Sequence, residues 1–273
     1  MSQTALPSFE TILLDLQDGL ATITLNKPER LNAASPQMAD EIGQALEALV
    51  GAGARALLMT GAGRAFCSGA DLQGRAAAAS EAETVSRGTR SFNSLSNHYN
   101  PTMRKLAQLP IPVVTAVNGP AAGIGSALAL TADFTLAGRS AYFLQAFVNI
   151  GLVPDGGSTW LLPRLVGKAR AAQMMMLGER IGAEQAEAWG LIYKAVDDAE
   201  LVSQAQALAQ RLANGPTVAL GLMRRGLALS MDQSYDEVLA TEARHQQVAG
   251  DSADAAEGGA AFLQRRKAEF KGR

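Results

Sequence analysis

The chain has 273 residues, of which 48% are hydrophobic and 18% are charged, and its formal net charge is −2 at pH 7. This balance is typical of a globular protein and excludes a strongly basic nucleic-acid-binding surface, so a small molecule is the expected ligand. One cysteine and two histidines exclude an internal disulfide and a structural zinc site, and the absence of a membrane-length apolar run and of a secretion signal predicts a cytoplasmic protein.

The first part of the chain predicts alternating strands and helices. Residues 10–16 and 20–25 alternate apolar and polar side chains around a Gln-Asp-Gly turn, which is typical of a β-hairpin. Ser35 and Pro36 have the character of an N-cap and a first helical residue, and the apolar spacing after them predicts a helix. The aliphatic run at residues 56–60 predicts a further strand.

The rest of the chain repeats this order and then becomes helical. The polar stretch from residue 75 to about residue 100 is either a mobile helical flap or a disordered loop. Beyond it, strands are predicted at 113–117 and 134–137 on either side of a helix at 126–131, so the fold class is α/β. Further helices are predicted over residues 158–165, 168–177, 199–213, 216–230, 234–249 and from 251 or 252 to 270.

Two glycine-rich loops, at residues 61–72 and 118–125, each follow one of these strands. Glycine lets a ligand approach the main chain closely, and N–H groups at the start of a helix lack an intrahelical acceptor, so two such loops together predict an oxyanion site. Ordinary strand-to-helix connections with turn glycines are the alternative. Neither loop has the G-x-G-x-x-G or the G-x-x-x-x-G-K-[ST] pattern, which disfavours a dinucleotide site and a P-loop.

Several separated motifs occur in an order that resembles the enoyl-CoA hydratase/isomerase (crotonase) family. They lie at residues 26–33, 66–72, 118–133, 151–157, 182–192 and 252–263. The resemblance implies a right-handed spiral of ββα units over residues 1–198, which carries the CoA thioester site. It also implies a C-terminal helical region over residues 199–273 that assembles the chain into a homotrimer or a dimer of trimers.

The resemblance further implies roles for individual residues. The thioester carbonyl accepts hydrogen bonds from the backbone N–H groups of Ala70 and Ile124, where Ile124 replaces a usual glycine. CoA is part of the substrate, and no metal or redox cofactor is required. The residues implied in contact with the acyl-CoA are Lys27, Arg30, Ala33, Ser68, Gly69, Asp71, Leu72, Gly123, Gly125, Phe147, Pro154 and Arg265.

The two glutamates with which hydratases of this family activate water are absent. Their positions hold Ala127 and Phe147, so the candidate acid/base is Asp155, whose alternative role is that of a turn residue or helix N-cap. The sequence around Asp155 is most similar to ring-1,2-epoxyphenylacetyl-CoA isomerases of phenylacetate breakdown. This predicts an acyl-CoA isomerase that shifts a double bond or rearranges a ring epoxide through an enolate. The alternatives are a hydratase with a non-standard acid/base pair, a thioester hydrolase and a non-catalytic acyl-CoA-binding scaffold.

Three other reactive side chains are predicted to have structural roles. Asp133, between a helix and a strand, is expected to make a structural hydrogen bond. His98 is expected on a surface loop, and Cys67 is expected to be a small buried apolar residue and not a nucleophile.

Overall fold

Six strands form the main sheet of the computed structural model, which describes residues 6–72 and 85–273. The first two strands are antiparallel, and the other four continue the sheet in parallel. In sheet order they are β1 (Ile12–Gln17), β2 (Leu20–Leu25), β3 (Ala56–Gly61), β4 (Val113–Val117), β6 (Phe134–Gly138) and β9 (Lys194–Val196). A smaller sheet holds β5 (Ala121–Ala122), β7 (Tyr142–Leu144) and β8 (Arg180–Gly182).

Helices surround the two sheets. They are α1 (Pro36–Gly51), α2 (Arg87–Ser94), α3 (Asn100–Ala107), α4 (Ile124–Leu130), α5 (Ser158–Ala172), α6 (Ala183–Ala188), α7 (Leu201–Ala213), α8 (Thr217–Ser230), α9 (Tyr235–Gly250) and α10 (Ala253–Leu263). Among the described residues, no helix combines the length and the apolar character required to cross a membrane.

Local signals account for where several elements begin. The Ser35 hydroxyl accepts a hydrogen bond from the Met38 N–H at 3.1 Å, and Pro36 is the first helical residue, so the predicted N-cap of α1 is confirmed. Asp18 and Gly19 have φ angles of 50° and 77°, as a tight hairpin turn requires. The predicted hairpin is therefore confirmed as β1 and β2.

Both faces of the main sheet are covered by helices. One face packs on a layer that includes α1 and α4, and the other packs on α7. Alanine side chains at Ala205, Ala209 and Ala213 are fully buried and let α7 lie close to the sheet. All five residues of β4 are consequently buried, as expected of a parallel strand between two helical layers.

Part of the polar segment that ends near residue 100 is helical. Residues 73–84 lie outside the described residues, but α2, a π-helical turn (Leu95–Tyr99) and α3 follow one another without interruption. The Ser86 hydroxyl caps α2 by accepting the Thr89 N–H at 3.1 Å, and α3 packs on α1. For residues 87–100 the helical alternative is therefore correct and the disordered loop is wrong.

The last helix is shorter than predicted. It ends at Leu263 and does not continue to Phe270, because the chain turns back at Arg265, whose φ is 53°. The buried Asp254 carboxylate accepts the N–H of Lys271 at 2.6 Å and that of the next residue at 2.7 Å. The returning segment is thus fixed to the beginning of α10.

Arg55 joins that returning segment to the main sheet. Its guanidinium donates to the Gly215 carbonyl at 2.7 Å, to the Thr217 hydroxyl at 3.0 Å and to the Phe270 carbonyl at 3.2 Å. Arg55 directly precedes β3, whereas the first glycine-rich loop follows the other end of β3, at Gly61. The C-terminal segment therefore meets the sheet at the end opposite to that loop.

A partly buried ion pair joins α8 to the sheet. Arg224, which is 8% exposed, donates from Nε to both carboxylate oxygens of Asp133 at 2.9 Å, and Asp133 accepts the Val113 N–H at 2.7 Å. The predicted structural role of Asp133 is confirmed. The other guanidinium nitrogens donate, at 2.8 to 3.4 Å, to the main-chain carbonyls of Leu106, Ala107, Leu109 and Thr131.

Glu41 of α1 holds the segment before β1. Its buried carboxylate accepts hydrogen bonds from the N–H and hydroxyl of Thr11 and, at 2.9 Å, from the Gln37 amide. Burial raises the pKa of this carboxyl group, but the hydrogen bonds together outweigh burial and hold the pKa below its usual 4.5.

Glu41→Gln is expected to lower the free energy of unfolding by about 1–3 kcal/mol at neutral pH, because the uncharged amide is a poorer acceptor. Since the folded-state pKa is depressed, this contribution is present above pH 4.5 and is lost as pH falls through the folded-state value. Urea unfolding at a series of falling pH values should show the difference from wild type shrinking. Glu47→Gln, at an exposed position of the same helix, is the control, and equal losses in both variants would contradict the prediction.

Candidate active site

The two glycine-rich loops lie side by side. The Cys67 N–H donates to the Pro120 carbonyl at 3.1 Å, and the Cys67 carbonyl accepts the Ala122 N–H at 2.9 Å, which forms a short parallel bridge. A Cβ atom at Gly125 would overlap with the carbonyl oxygen of Cys67, so glycine lets α4 begin close to the first loop. Burial raises the pKa of the Cys67 thiol to about 11, in keeping with its predicted structural role.

Two asparagine side chains, neither of which was predicted as a site residue, hold these loops. Asn118 donates to two carbonyls of the first loop at 2.9 and 2.8 Å. Asn32, which is buried with φ 53°, accepts the Lys27 N–H at 2.9 Å and donates to two further carbonyls of that loop at 2.9 and 2.8 Å. The carbonyls that they bond in the first loop are 30 to 57 residues away along the chain, so no local pattern could have pointed to these contacts.

Ala70 is held in the first loop by its two neighbours. The Gly69 carbonyl accepts the Ala34 N–H at 2.7 Å, and the Asp71 N–H donates to the Ala34 carbonyl at 2.9 Å. Because the residues on both sides of Ala70 bond to Ala34, the Ala70 N–H points away from Ala34. Gly69 itself, with φ 108°, lies beside Ala122 of the second loop.

Ile124 is the first residue of α4. Gly123, which precedes it, has φ 51° and ψ −123°, a conformation that glycine adopts far more readily than other residues. The Gly123 N–H donates to the Leu144 carbonyl at 2.8 Å. The Ile124 N–H belongs to the first helical turn and so has no intrahelical acceptor. Within the described ranges, neither this N–H nor that of Ala70 donates to a main-chain carbonyl.

Asp155 lies in a tight turn that packs against the beginning of α4. Gly156 and Gly157 have φ angles of 62° and 85°, and a Cβ atom at Gly156 would overlap with Ile124 and lie 2.9 Å from the Ala127 Cβ. The N-cap of α5 is Gly157, so the alternative of Asp155 as N-cap is wrong, although its carbonyl accepts the Ser158 N–H as in a turn. The carboxylate of Asp155 is half-buried beside Pro154, with Oδ1 hidden from solvent.

Apolar side chains stand where the resemblance places the two hydratase glutamates. Ala127 is 1% exposed and faces Gly156. Phe147 is 9% exposed, and its ring lies 3.4 Å from where a Cβ atom of Gly123 would be. Neither side chain can carry a proton or orient water, whereas the turn that holds Asp155 packs against this end of α4.

Seven of the twelve residues predicted to contact CoA lie either in the segment before α1 or in the part of the first loop that this segment contacts. Arg30 Nη2 and Asp71 Oδ1 are 2.6 Å apart, and the Ser68 N–H donates to the Leu31 carbonyl at 3.0 Å. These contacts tie the segment before α1 to the loop. The predicted residues that they bring together are Lys27, Arg30, Ala33, Ser68, Gly69, Asp71 and Leu72.

Arg265 stands apart from this group. It is exposed just beyond α10, and in the part of the chain that the structure describes no hydrogen bond or ion pair joins it to either glycine-rich loop. The segment after it runs to Arg55, at the opposite end of β3. Among the described residues, no hydrogen bond or ion pair therefore joins Arg265 to the other predicted CoA-binding residues.

Similarity to known proteins defines the class to which this fold and site belong. The family described as enoyl-CoA hydratase/isomerase matches residues 15–273. The chain belongs to the enoyl-CoA hydratase/isomerase (crotonase) family of enzymes, which confirms the resemblance and the fold class drawn from the motifs.

Individual relatives carry the names of two activities. The 1,2-epoxyphenylacetyl-CoA isomerase of Escherichia coli (strain K12) is 43% identical over 265 residues, which cover 97% of this chain and 99% of the relative. A probable enoyl-CoA hydratase of Rhodobacter capsulatus is 44% identical over 266 residues, which cover 97% of this chain and 100% of the relative. The crystal structure of an enoyl-CoA hydratase from Bacillus anthracis is 29% identical with a TM-score of 0.89, covering 97% of this chain and 100% of that one.

Proposed function

We propose that this enzyme is an acyl-CoA isomerase that shifts a double bond or rearranges a ring epoxide in a CoA thioester. The observation that carries the proposal is the turn of Asp155, which packs against Ile124 and Ala127 while apolar side chains occupy both positions of the hydratase glutamates. The name of the Escherichia coli relative supports the same activity.

In this proposal, the backbone N–H groups of Ala70 and Ile124 bind the thioester oxygen. Asp155 removes a proton from the carbon next to the carbonyl of a 3-enoyl thioester, and the electron pair passes into the thioester as an enolate. Asp155 then returns the proton to the far end of the former double bond, which leaves a conjugated 2-enoyl thioester. One carboxyl group suffices because taking a proton from one carbon converts it to the acid that protonates the other. In deuterated water the proton on this acid exchanges with solvent, so deuterium enters the substrate and product.

The remaining predicted site residues serve binding in the same proposal. The segment from Lys27 to Ala33 and the loop residues Ser68 to Leu72 lie along CoA, while Phe147 and Pro154 border the acyl group. Assembly into a homo-oligomer is supported by large apolar side chains on the C-terminal helices: Leu227 is 70% exposed and Phe262 is 83% exposed.

Hydration of a 2-enoyl-CoA is the second candidate function. It is favoured by the Rhodobacter capsulatus relative, which is as similar to this chain as the isomerase is. A hydratase reaction here requires Asp155 to act on water without the two glutamates.

Proton NMR in deuterated water, with a straight-chain and a cyclic 3-enoyl-CoA, tests the proposal. Double-bond migration with deuterium at the carbons that exchange protons is the expected result. A 3-hydroxyacyl product would replace the isomerase by a hydratase, and free CoA would indicate a hydrolase. Saturable binding of both esters without any turnover would support the scaffold alternative.

Ile124→Pro is expected to lower kcat about 10²-fold, because it deletes one N–H donor to the oxyanion. The fold should tolerate proline here, since Ile124 is the first helical residue, where the lost N–H breaks no intrahelical hydrogen bond. Initial-rate kinetics with the 3-enoyl-CoA substrate measure the effect. Ile124→Val, which retains the N–H, is the matched control, and a similar loss in both variants would refute the donor role.

A further inference from the structure

Tyr99 contacts the segment that fixes the first loop. Its side chain is 2% exposed, and its hydroxyl donates to the Ala34 carbonyl at 2.7 Å. The same carbonyl accepts the Asp71 N–H at 2.9 Å, and the Ala34 N–H donates to the Gly69 carbonyl at 2.7 Å. Two donors therefore use both lone pairs of the Ala34 oxygen, and the peptide groups on either side of Ala70 are fixed through Ala34.

Tyr99 also lies near the second loop. It lines a small apolar cavity together with Ala34 and Ile124, so its side chain is close to both the segment that holds Ala70 and the residue that begins α4. It is the last residue of the π-helical turn between α2 and α3. π-helical turns are rare in proteins, but those that do occur are often found at functional sites.

From this geometry we infer that Tyr99 is a positioning residue for the reaction. By holding the Ala34 carbonyl it sets the direction of the Ala70 N–H. The inference rests on the proposed function, in which that N–H polarises the thioester. A small misdirection of a donor aimed at a developing oxyanion lowers the reaction rate more than it lowers ground-state binding.

Thr102 provides a matched control one turn further along the chain. Its side chain is also buried, and its hydroxyl donates to the Ala39 carbonyl at 2.6 Å. Ala39 lies within α1, and in the described part of the chain its main chain makes no hydrogen bond to the Ala70 segment. Tyr99→Phe and Thr102→Val each remove one buried hydroxyl-to-carbonyl hydrogen bond, but only Tyr99→Phe changes the support of Ala70.

The test combines kinetics with carbon-13 NMR of butanoyl-CoA labelled at the thioester carbonyl, a saturated ester that cannot isomerise. Binding to the wild type should move the carbonyl signal downfield, because two N–H donors polarise it. Tyr99→Phe is expected to lose much of that shift and to lower kcat about tenfold with little change in KM. Thr102→Val should keep both the shift and kcat, although its thermal stability falls by an amount similar to that of Tyr99→Phe.

Two results would overturn the positioning role: a wild-type shift and kcat in Tyr99→Phe, or equal losses in Thr102→Val. A wild-type protein that binds the labelled ester without a downfield shift would instead overturn the oxyanion site of the proposed function, and the positioning role with it. The wild-type measurement therefore separates failure of the proposed function from failure of the inference.

Discussion

Asp155→Asn is expected to lower the rate of proton transfer by about 10²- to 10⁴-fold, the range that a positioned acid/base group supplies. Asparagine has nearly the same size as aspartate and suits the same turn, but its amide cannot accept a proton from carbon. The turn around it should persist because Gly157, and not Asp155, caps α5. Affinity for butanoyl-CoA should stay within about threefold of wild type, since the loss is confined to the transition state.

Deuterium exchange into a 3-enoyl-CoA measures the rate, and titration with butanoyl-CoA measures binding. Asp18→Asn is the matched control: it is the same substitution in the β1–β2 turn, where φ is 50° and asparagine is well tolerated. Unchanged exchange in Asp155→Asn would remove Asp155 from the mechanism. Loss of butanoyl-CoA binding together with exchange would instead indicate that Asp155 shapes the site.

Arg224→Ala is expected to lower the free energy of unfolding by about 3 kcal/mol, the lower end of the range for a buried ion pair, because the Asp133 side chain is 22% exposed. The substitution leaves the Asp133 carboxylate without its cation. It also leaves four main-chain carbonyls near the ends of α3 and α4 without the guanidinium that bonds to them. Denaturant unfolding followed by far-ultraviolet circular dichroism measures the loss.

Arg164→Ala is the control for that prediction. Arg164 forms an ion pair with Asp232 at 2.8 Å and stacks on Trp160, but the Asp232 side chain is 62% exposed. An ion pair in contact with water contributes about 1 kcal/mol or less, so this variant should remain close to wild type. Equal losses of unfolding free energy in the two variants would mean that burial does not explain how much the Arg224 contacts stabilise the fold.

The elements that could be predicted from the sequence carry their signals within a few residues. The Asp18-Gly19 turn and the Ser35 N-cap each depend on neighbours in the chain, and the structure has them where they were expected. The end of the last helix, before Arg265, could not be predicted from such local signals. The end of α10 depends on the docking of the returning segment on Asp254, which no periodic pattern encodes, and the predicted helix therefore ran too far.

The supports of the candidate site were beyond prediction for a related reason. Tyr99 is 65 residues from Ala34, and Arg224 is 115 residues from Leu109; in both pairs the acceptor is a main-chain carbonyl. A carbonyl has the same chemistry at every position, so the sequence gives no sign of which one a side chain will meet. Asp155 lies near α4 because Gly156 packs against Ile124, which is distant in sequence. Only the family resemblance, and no local pattern, could therefore predict this placement.

The contacts of Arg55 have a consequence for the order in which the protein is completed. Arg55 is 162 residues from Thr217 and 215 residues from Phe270 along the chain. On the ribosome, β3 emerges long before either partner is synthesised, so this end of the sheet stays open while the rest of the sheet forms. A nascent chain arrested before residue 215 should therefore be cut by protease near the start of β3, and release of the finished chain should remove that sensitivity.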